Sequence, residues 1–419
     1  MLCSNSVDTI GKKCRDRGEH CYYYKKTARI LPLGFVDDLN VIAKCGMESL
    51  SINTFINTQI ELKKLKFHVP DQNGKTKCHK LHIGKNHNMC PTLKVHGTVM
   101  PEVLEDTYLG DILSNDGRNT KNIKHRISKG LGIINQIFNL LDNVVFGPHY
   151  FEIAVLLRDS MLINGTMTNA EIWYNFTNTE VQEFEGLDQL FFRRLFEVPV
   201  TTPKEAYYLE LGVLPINIIL KSRRINYLQS ILKQDKTGML YTFFLTQWHN
   251  PCKGDWTEQV KEDLADFKIQ CSFEEIEKKS KESFKKLVKI RAKELALEQL
   301  QSKQNKHSKM ENLSYSEVKI QSYLNSEETS IQQKKTLFKY RVRMAKFGEN
   351  YRGGKGPVAC PLCKLHLDNQ EMAFQCIEVN KSITVEGSPE ELFQEVIKLG
   401  TIETIQKITE LRKQRLECD

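Results

Sequence analysis

No stretch of this chain approaches the roughly 20 consecutive apolar residues that a helix needs to cross a bilayer. Its opening, MLCSNSVDTIGKKCRD, has the form of neither a signal peptide nor an amphipathic transit peptide. No internal repeat is visible. There is no Ser-His-Asp arrangement, no phosphate-cradling P-loop and no dinucleotide fingerprint, which removes the commonest hydrolase and nucleotide-cofactor classes. Twelve cysteines are present, but they are scattered, and only Cys360, Cys363 and Cys376 are tightly grouped. Scattered thiols without a secretion signal indicate a reducing compartment, so the expectation is an intracellular protein of nucleus or cytoplasm. The sequons at Asn164, Asn175 and Asn312 then carry no meaning. Cys3, Cys14, Cys21 and His20 lack metal-site spacing.

What is there is basic. Of 419 residues 40% are hydrophobic, enough for two or three domains with cores of their own. The net charge of +8 is concentrated locally. Between Lys278 and Met310 eleven Lys and Arg face three Glu, and between Gln333 and Lys346 six basic residues face no acidic one. Such surfaces attract phosphate backbones with an affinity that falls steeply with salt. The first stretch reads equally as a solvated charged helix or linker. The second interleaves Phe338 and Tyr340 with Lys339, Arg341 and Arg343, which suits stacking on bases as well as phosphate neutralisation. Plain burial of those two rings is the competing reading.

Two apolar runs, Arg29–Phe35 and Leu39–Ala43, meet at the adjacent carboxylates Asp37 and Asp38. Both runs are strand-like, which places the pair at or beside a hairpin turn. A hairpin tip is a rigid mount, and Mg²⁺ takes hard oxygen ligands in a near-octahedral shell. Two such ions about 3.5–4 Å apart activate a 3′-hydroxyl and stabilise a leaving pyrophosphate. Asp-Asp is also common in solvated turns. Behind the pair come Gly46, an amphipathic helix over Glu48–Leu65, and Lys77-Cys78-His79-Lys80-Leu81-His82-Ile83-Gly84-Lys85. Tyr108-Leu109-Gly110-Asp111-Ile112-Leu113-Ser114-Asn115-Asp116-Gly117 follows, and much later Cys360-Pro361-Leu362-Cys363. In order and spacing these motifs resemble the reverse transcriptase of non-LTR retrotransposons over nearly the whole chain.

The resemblance implies an RNA-directed DNA polymerase that uses Mg²⁺, an RNA template and a DNA 3′ end. Asp37 would ligate the metal with Asp38 beside it. Lys77 would act near the pyrophosphate leaving group as a general acid, with Lys75 as competitor and strand-edge charge as the plain alternative. His82, Ile83 and Gly84 match the turn supporting the primer end, where glycine permits close backbone approach. The family's palm has an earlier aspartate-bearing strand and a Gln-Gly loop; Leu2–Gly11 resembles the helix after that loop. The chain is therefore expected to start inside the palm and to be inactive alone.

The expected fold is α+β: a polymerase palm remnant of β-hairpin plus helix, then a mostly helical thumb and a small C-terminal knuckle region. The expected divisions are 1–116 for the palm end, 117–250 for the thumb and its extension, 251–332 for a charged helical connector, and 333–419 for the basic segment, knuckle and terminal helices. Short strands are expected through Leu81 and Ile83 and around Val95–Val99, and helices over Lys121–Leu162, Val181–Phe196 and Ile216–Leu232. Thr202, Pro203 and Glu205 have the form of a capping box, with Thr202 as cap. In the thumb, Arg223 and Arg224 are candidate phosphate contacts, or surface charge. Ser272–Met310 reads as a long exposed helix or semi-ordered connector. Ser388–Leu416 reads as helix with Leu392, Val396, Ile397, Ile402, Ile405, Ile408 and Leu411 on one face.

Cys360-x-x-Cys363 with Cys376 is a metal signal, because thiolates two residues apart on a knuckle reach one Zn²⁺ and a structural site needs four ligands. In the family a histidine stands four residues before the last cysteine; here that position is Met372, and His366 is the nearby substitute. Zinc here would fold the segment rather than catalyse. Three functional readings remain open: a reverse-transcriptase chain, a non-enzymatic RNA- or DNA-binding module, and a helical interaction scaffold whose charges only solubilise. No membrane partner is expected.

Overall fold

The structure is a computed structural model. It describes 22–24, 28–30, 33–35, 38–40, 53–54, 56–58, 78–79, 92–95, 97–108, 110–143, 147–174, 176–310, 313–348, 358–382 and 402–418. Among these the architecture is mostly helical with small two-stranded sheets, an α+β arrangement.

Strands β1 (Tyr22–Tyr24) and β2 (Ala28–Ile30) pair antiparallel. So do β3 (Leu33–Phe35) and β4 (Asp38–Asn40), with Phe35 opposite Asp38. The hairpin expected around the two aspartates is therefore present. β5 (Cys78–His79) runs parallel to β8 (Glu102–Val103), while Leu81 and Ile83 lie outside the described residues. Around Val95 the structure has a tight hairpin of β6 (Lys94–Val95) and β7 (Thr98–Val99), not one strand. Gly97, at φ 77°, takes the left-handed conformation that such a turn requires. β9 (Glu105–Tyr108) and β10 (Asp111–Ser114) close a last hairpin at Gly110, φ 86°.

Asp111 ties this hairpin to the helical body. Its carboxylate accepts hydrogen bonds from Arg126 at 2.8 Å and Asn122 at 2.9 Å, both on helix α1 (Thr120–Asn143), and from Asn169 at 2.7 Å. Asn122 Oδ1 in turn accepts the Ile112 N–H. α2 (Tyr150–Leu157) continues through a π-helical turn at Arg158–Ile163. α3 (Asn178–Phe196) begins three residues before the expected start because Thr177 and Glu180 form a reciprocal capping box. α4 (Lys204–Leu211) and α5 (Ile216–Leu232) follow. The box expected at Thr202 is not made: Pro203 is the N-cap without a side-chain bond, and the Thr202 hydroxyl donates to the Pro199 carbonyl.

Beyond α6 (Met239–His249), α7 (Trp256–Asp266) and α8 (Phe273–Lys278) comes α9 (Lys281–Gln304). Here the connector expectation is corrected. α9 buries Phe284, Val288, Ala292, Ala296, Leu300 and Gln304. That four-residue stripe packs on α5 and α4. α10 (Ile331–Arg341), α11 (Gln370–Phe374), α12 (Ile377–Ser382) and α13 (Ile402–Cys418) complete the described helices. On α13 Ile405 and Ile408 are buried, whereas Leu392, Val396 and Ile397 lie outside the described residues.

One large core runs through all of these helices, with stacked rings at its centre: Phe196 lies 3.7 Å from Phe338, and Phe192 and Tyr207 continue the stack. A smaller cluster of Ile123, Met167, Trp173 and Phe184 seats the start of α1. Gly212 ends α4 at φ 66°, and a Cβ there would stand 2.1 Å from the Lys319 carbonyl carbon. Only glycine lets the 319–321 segment close on α4, where the Gln321 N–H donates to the Glu210 carbonyl. Among the described residues no helix is long and apolar enough to cross a membrane.

Candidate functional site

The three grouped cysteines come together. Cys360 and Cys363 flank a tight knuckle in which Lys364 is left-handed at φ 58°. The Cys360 N–H donates to the His366 carbonyl at 2.7 Å, and the Lys364 N–H returns to the Cys360 carbonyl. Cys376 arrives after α11, which Asn369 caps through the Met372 N–H. All three Sγ atoms lie within 4.8 Å of one another, with Cys360 and Cys376 3.9 Å apart. Two thiolates on a tetrahedral zinc at about 2.3 Å are separated by about 3.8 Å, so the trio fits that ion. It could hold a metal such as zinc with three of four positions filled.

His366 was the substitute ligand, and the structure gives it another job. Its imidazole is not in the cluster; its carbonyl and N–H shape the knuckle instead. Met372 is used by its main chain, at the start of α11. The electrostatics already separate the thiols. Burial pushes the Cys363 thiol up, but N–H groups of Leu365 and His366 aimed at its sulfur outweigh this and hold it below the usual range. Burial pushes Cys376 up to about 11.

The six residues assigned to nucleic acid are not displayed together. Arg224 is buried and bonded through two nitrogens to Asp263, at 2.6 and 3.2 Å. Arg223 donates to the Met167 carbonyl and to Asn164 Oδ1. Tyr340 is 3% exposed, and its ring packs edge-on against Phe347. Its neighbour Phe338 is fully buried, so the core reading of both aromatics holds. Stacking on a base would require α10 to leave the domain. Arg341 meets Glu210 at 3.0 Å, Arg343 meets Glu371 at 2.9 Å, and Lys339 stands 3.8 Å from Glu197. Burial lowers the Lys339 pKa, and Glu197 offsets part of that. Arg223, Arg224, Lys339, Tyr340 and Arg341 lie on helices packed against the core, Arg343 follows α10 in a left-handed turn, and the five charges are met by a carboxylate or a carbonyl.

The exposed basic surface is elsewhere. On α9, Lys281, Lys285, Lys286 and Lys289 are exposed and make no ion pair among the described residues. Lys281, Lys285 and Lys289 stand one turn apart, about 6 Å each along the axis. Glu282 is the acidic residue between them. The run was visible in the sequence as charge, but its usefulness depends on the buried stripe behind it, which alternating lysine pairs obscure. Of the catalytic candidates, the main chain of Asp38 begins β4, whereas its side chain, Asp37 and Lys77 lie outside the described residues. Among the described residues the cysteine trio is the one group of metal-ligating side chains. Compared with protein-family models and with curated proteins, the chain matches none.

Proposed function

We propose that this chain is a nucleic-acid-binding protein of reverse-transcriptase type, acting on RNA and DNA through the lysine face of α9, with the cysteine trio as a zinc-held structural knuckle. The observation carrying the reading is that Lys281, Lys285, Lys286 and Lys289 are exposed and make no ion pair among the described residues, while the other candidate charges meet carboxylates or carbonyls. A rigid helix presents its charges at fixed spacing, so each lysine can replace a counterion on a phosphate without reordering the fold. Zinc, when bound, supplies a fixed tetrahedral anchor; Cys360, Cys363 and Cys376 would hold it, and the knuckle N–H groups orient their sulfurs.

The test is binding of a single-stranded RNA at 50–300 mM salt. Replacing the four lysines by alanine flattens the log–log salt slope by about 3, at roughly 0.7 per phosphate contact. An unchanged slope refutes the assignment.

A second reading, DNA synthesis, is supported by the β3–β4 hairpin, in which Phe35 pairs with Asp38. In that reading Asp37 and Asp38 ligate Mg²⁺ and Lys77 assists the leaving group. Templated primer extension that disappears in Asp37→Ala supports it; extension that persists, or none at all, leaves binding as the function.

A further inference from the structure

At the C-terminal end of α9 an open cleft of about 410 Å³ separates the α3–α4 loop from the chain that leaves α9. Thr202, Lys204, Glu205, Lys306, His307 and Lys309 line it. That volume is within the range of small-molecule sites, roughly 300–1,000 Å³. Three features set its chemistry. First, three lysines face one glutamate; Lys204 is held by Glu185 and Lys309 donates to Met344 Sδ at 3.0 Å, with further N–H donors on its ammonium, whereas Lys306 is exposed with no ion pair among the described residues. Second, α4 opens into the cleft without a side-chain cap; the Ala206 N–H turns back to the Pro203 carbonyl, while the Lys204 and Glu205 N–H groups precede the first helical acceptor. Those groups and the helix dipole favour an anion, and a phosphate matches them and the lysines.

The third feature restricts which phosphate. Glu205 is 3% exposed, and its Oε2 accepts no hydrogen bond. The nearest partner is His307 Nε2 at 3.4 Å, long for a hydrogen bond. A buried carboxylate oxygen with no donor is costly, and it repels a bare anion. It accepts a hydroxyl well. A fully ionised anion such as sulfate therefore satisfies the lysines and offends Glu205, whereas a phosphorylated sugar satisfies both. A metal cation would suit Glu205 alone and be repelled by the three lysines.

We propose that this cleft binds a ribose phosphate, the phosphate on Lys306, Lys309 and the uncapped start of α4, and a ribose hydroxyl on Glu205. The choice of ribose among sugars rests on the nucleic-acid reading above; the phosphate and the hydroxyl rest on the cleft. Two sources present this group, a free ribonucleotide and the 5′-phosphorylated end of an RNA strand. The cleft stands at one end of the lysine-bearing helix, so a strand lying along α9 could end in it.

The experiment is calorimetric titration of the full chain with ribose 5-phosphate and, separately, with sulfate, an anion that carries no hydroxyl. Ribose 5-phosphate should bind at least about tenfold tighter, the difference expected for one hydrogen bond to a charged group. Lys306→Ala, at an exposed position, should weaken it about tenfold. Glu205→Gln keeps the volume and should shrink the preference over sulfate. Circular dichroism of both variants confirms that they fold. Equal affinity for the two probes, or binding indifferent to both substitutions, overturns the proposal. Adenosine 5′-monophosphate and a 5′-phosphorylated RNA tetramer then separate the sources: equal affinity identifies a nucleotide site, and tighter binding of the tetramer that requires its 5′-phosphate identifies a strand-end site. Because these probes are too small to span the α9 lysines, failure here is distinguishable from loss of the salt-dependent binding.

Discussion

Arg341 separates two accounts of the basic-aromatic segment. As a phosphate contact it would be dispensable to the fold; as placed, it is half of a buried pair. Glu210 is 0% exposed, and its Oε1 accepts from Arg341 Nε at 3.0 Å and from the Tyr315 hydroxyl at 2.5 Å, while Oε2 accepts from neither. The guanidinium also lies 5.2 Å from the Tyr323 ring centre. Burial by itself would lower the Arg341 pKa, but Glu210 beside it overrides this and raises it. Arg341→Ala removes the one cation that pairs with Glu210 among the described residues, leaving a buried carboxylate with one hydroxyl. Breaking such a pair from one side costs about 3–5 kcal/mol. At roughly 2–4 °C per kcal/mol for a large domain, Tm should fall by about 6–20 °C.

All three tryptophans, Trp173, Trp248 and Trp256, are in the helical body, so their fluorescence in urea reports its unfolding directly. Adding Glu210→Gln to Arg341→Met should recover part of the loss, because the amide still accepts from Tyr315 without a charge to compensate. The coupling expected in the double-mutant cycle is about 1–3 kcal/mol. RNA affinity of the folded Arg341→Ala protein should stay within about twofold of the parent, since the removed charge was already neutralised. A wild-type urea midpoint together with lost RNA affinity would refute the whole placement.

Two further expectations follow from the same contacts. Gly212→Ala forces a Cβ onto the main chain of Lys319 at a positive φ, so it should destabilise by about 3 kcal/mol or more in urea unfolding, whereas Gly132→Ala, with open space beside it, should not. Zinc binding should depend on pH through Cys376. Its thiol, pushed up to about 11, is protonated throughout pH 6–8 in the metal-free protein and must lose that proton to ligate. Affinity in competition with a chelator should therefore fall at least about tenfold for each pH unit lowered, and Cys376→Ser should abolish it; pH-independent affinity would place the ion elsewhere.

Helices were the legible part of this sequence, and polar ends were the illegible part. Ile216–Leu232 was readable to the residue, opening directly after Pro215 and ending before Lys233. Thr202 and Glu205 satisfied the capping pattern, yet Thr202 found the Pro199 carbonyl first, a local competition that spacing cannot rank. Cys360, Cys363 and Cys376 were legible as a trio because chain proximity brings them together. The job of His366 was not, because its main chain and not its ring shapes the knuckle. Within Ser272–Met310 the long helix was legible, and its buried face was not, for a different reason. The lysines that dominate its composition share α9 with a stripe of alanines, Ala292 and Ala296, and small residues at close helix crossings leave little trace in hydropathy.

The fate of the basic residues explains why charge density was a poor guide to the surface. An arginine on a helix that must enter a core brings its own partner or the helix does not pack, since an unpaired buried guanidinium costs several kcal/mol. Arg158 meets Asp188 through two bonds at 2.7 Å, Arg224 meets Asp263, Arg341 meets Glu210, and Arg412 meets Asp368. Each pair joins two elements distant in sequence, so each fixes a crossing. The lysines of α9 behave otherwise, because their helix already has an apolar stripe to bury and needs no charge to dock. Planar arginine suits the fixed geometry inside, and mobile lysine suits a surface that must follow a flexible strand. The division predicts where conservative exchange fails: Arg224→Lys should destabilise the fold, because one ammonium cannot make both bonds to Asp263. Lys285→Arg should leave stability and salt-dependent binding intact. Equal stability of Arg224→Lys and the parent would show that the buried pairs do not organise the domain.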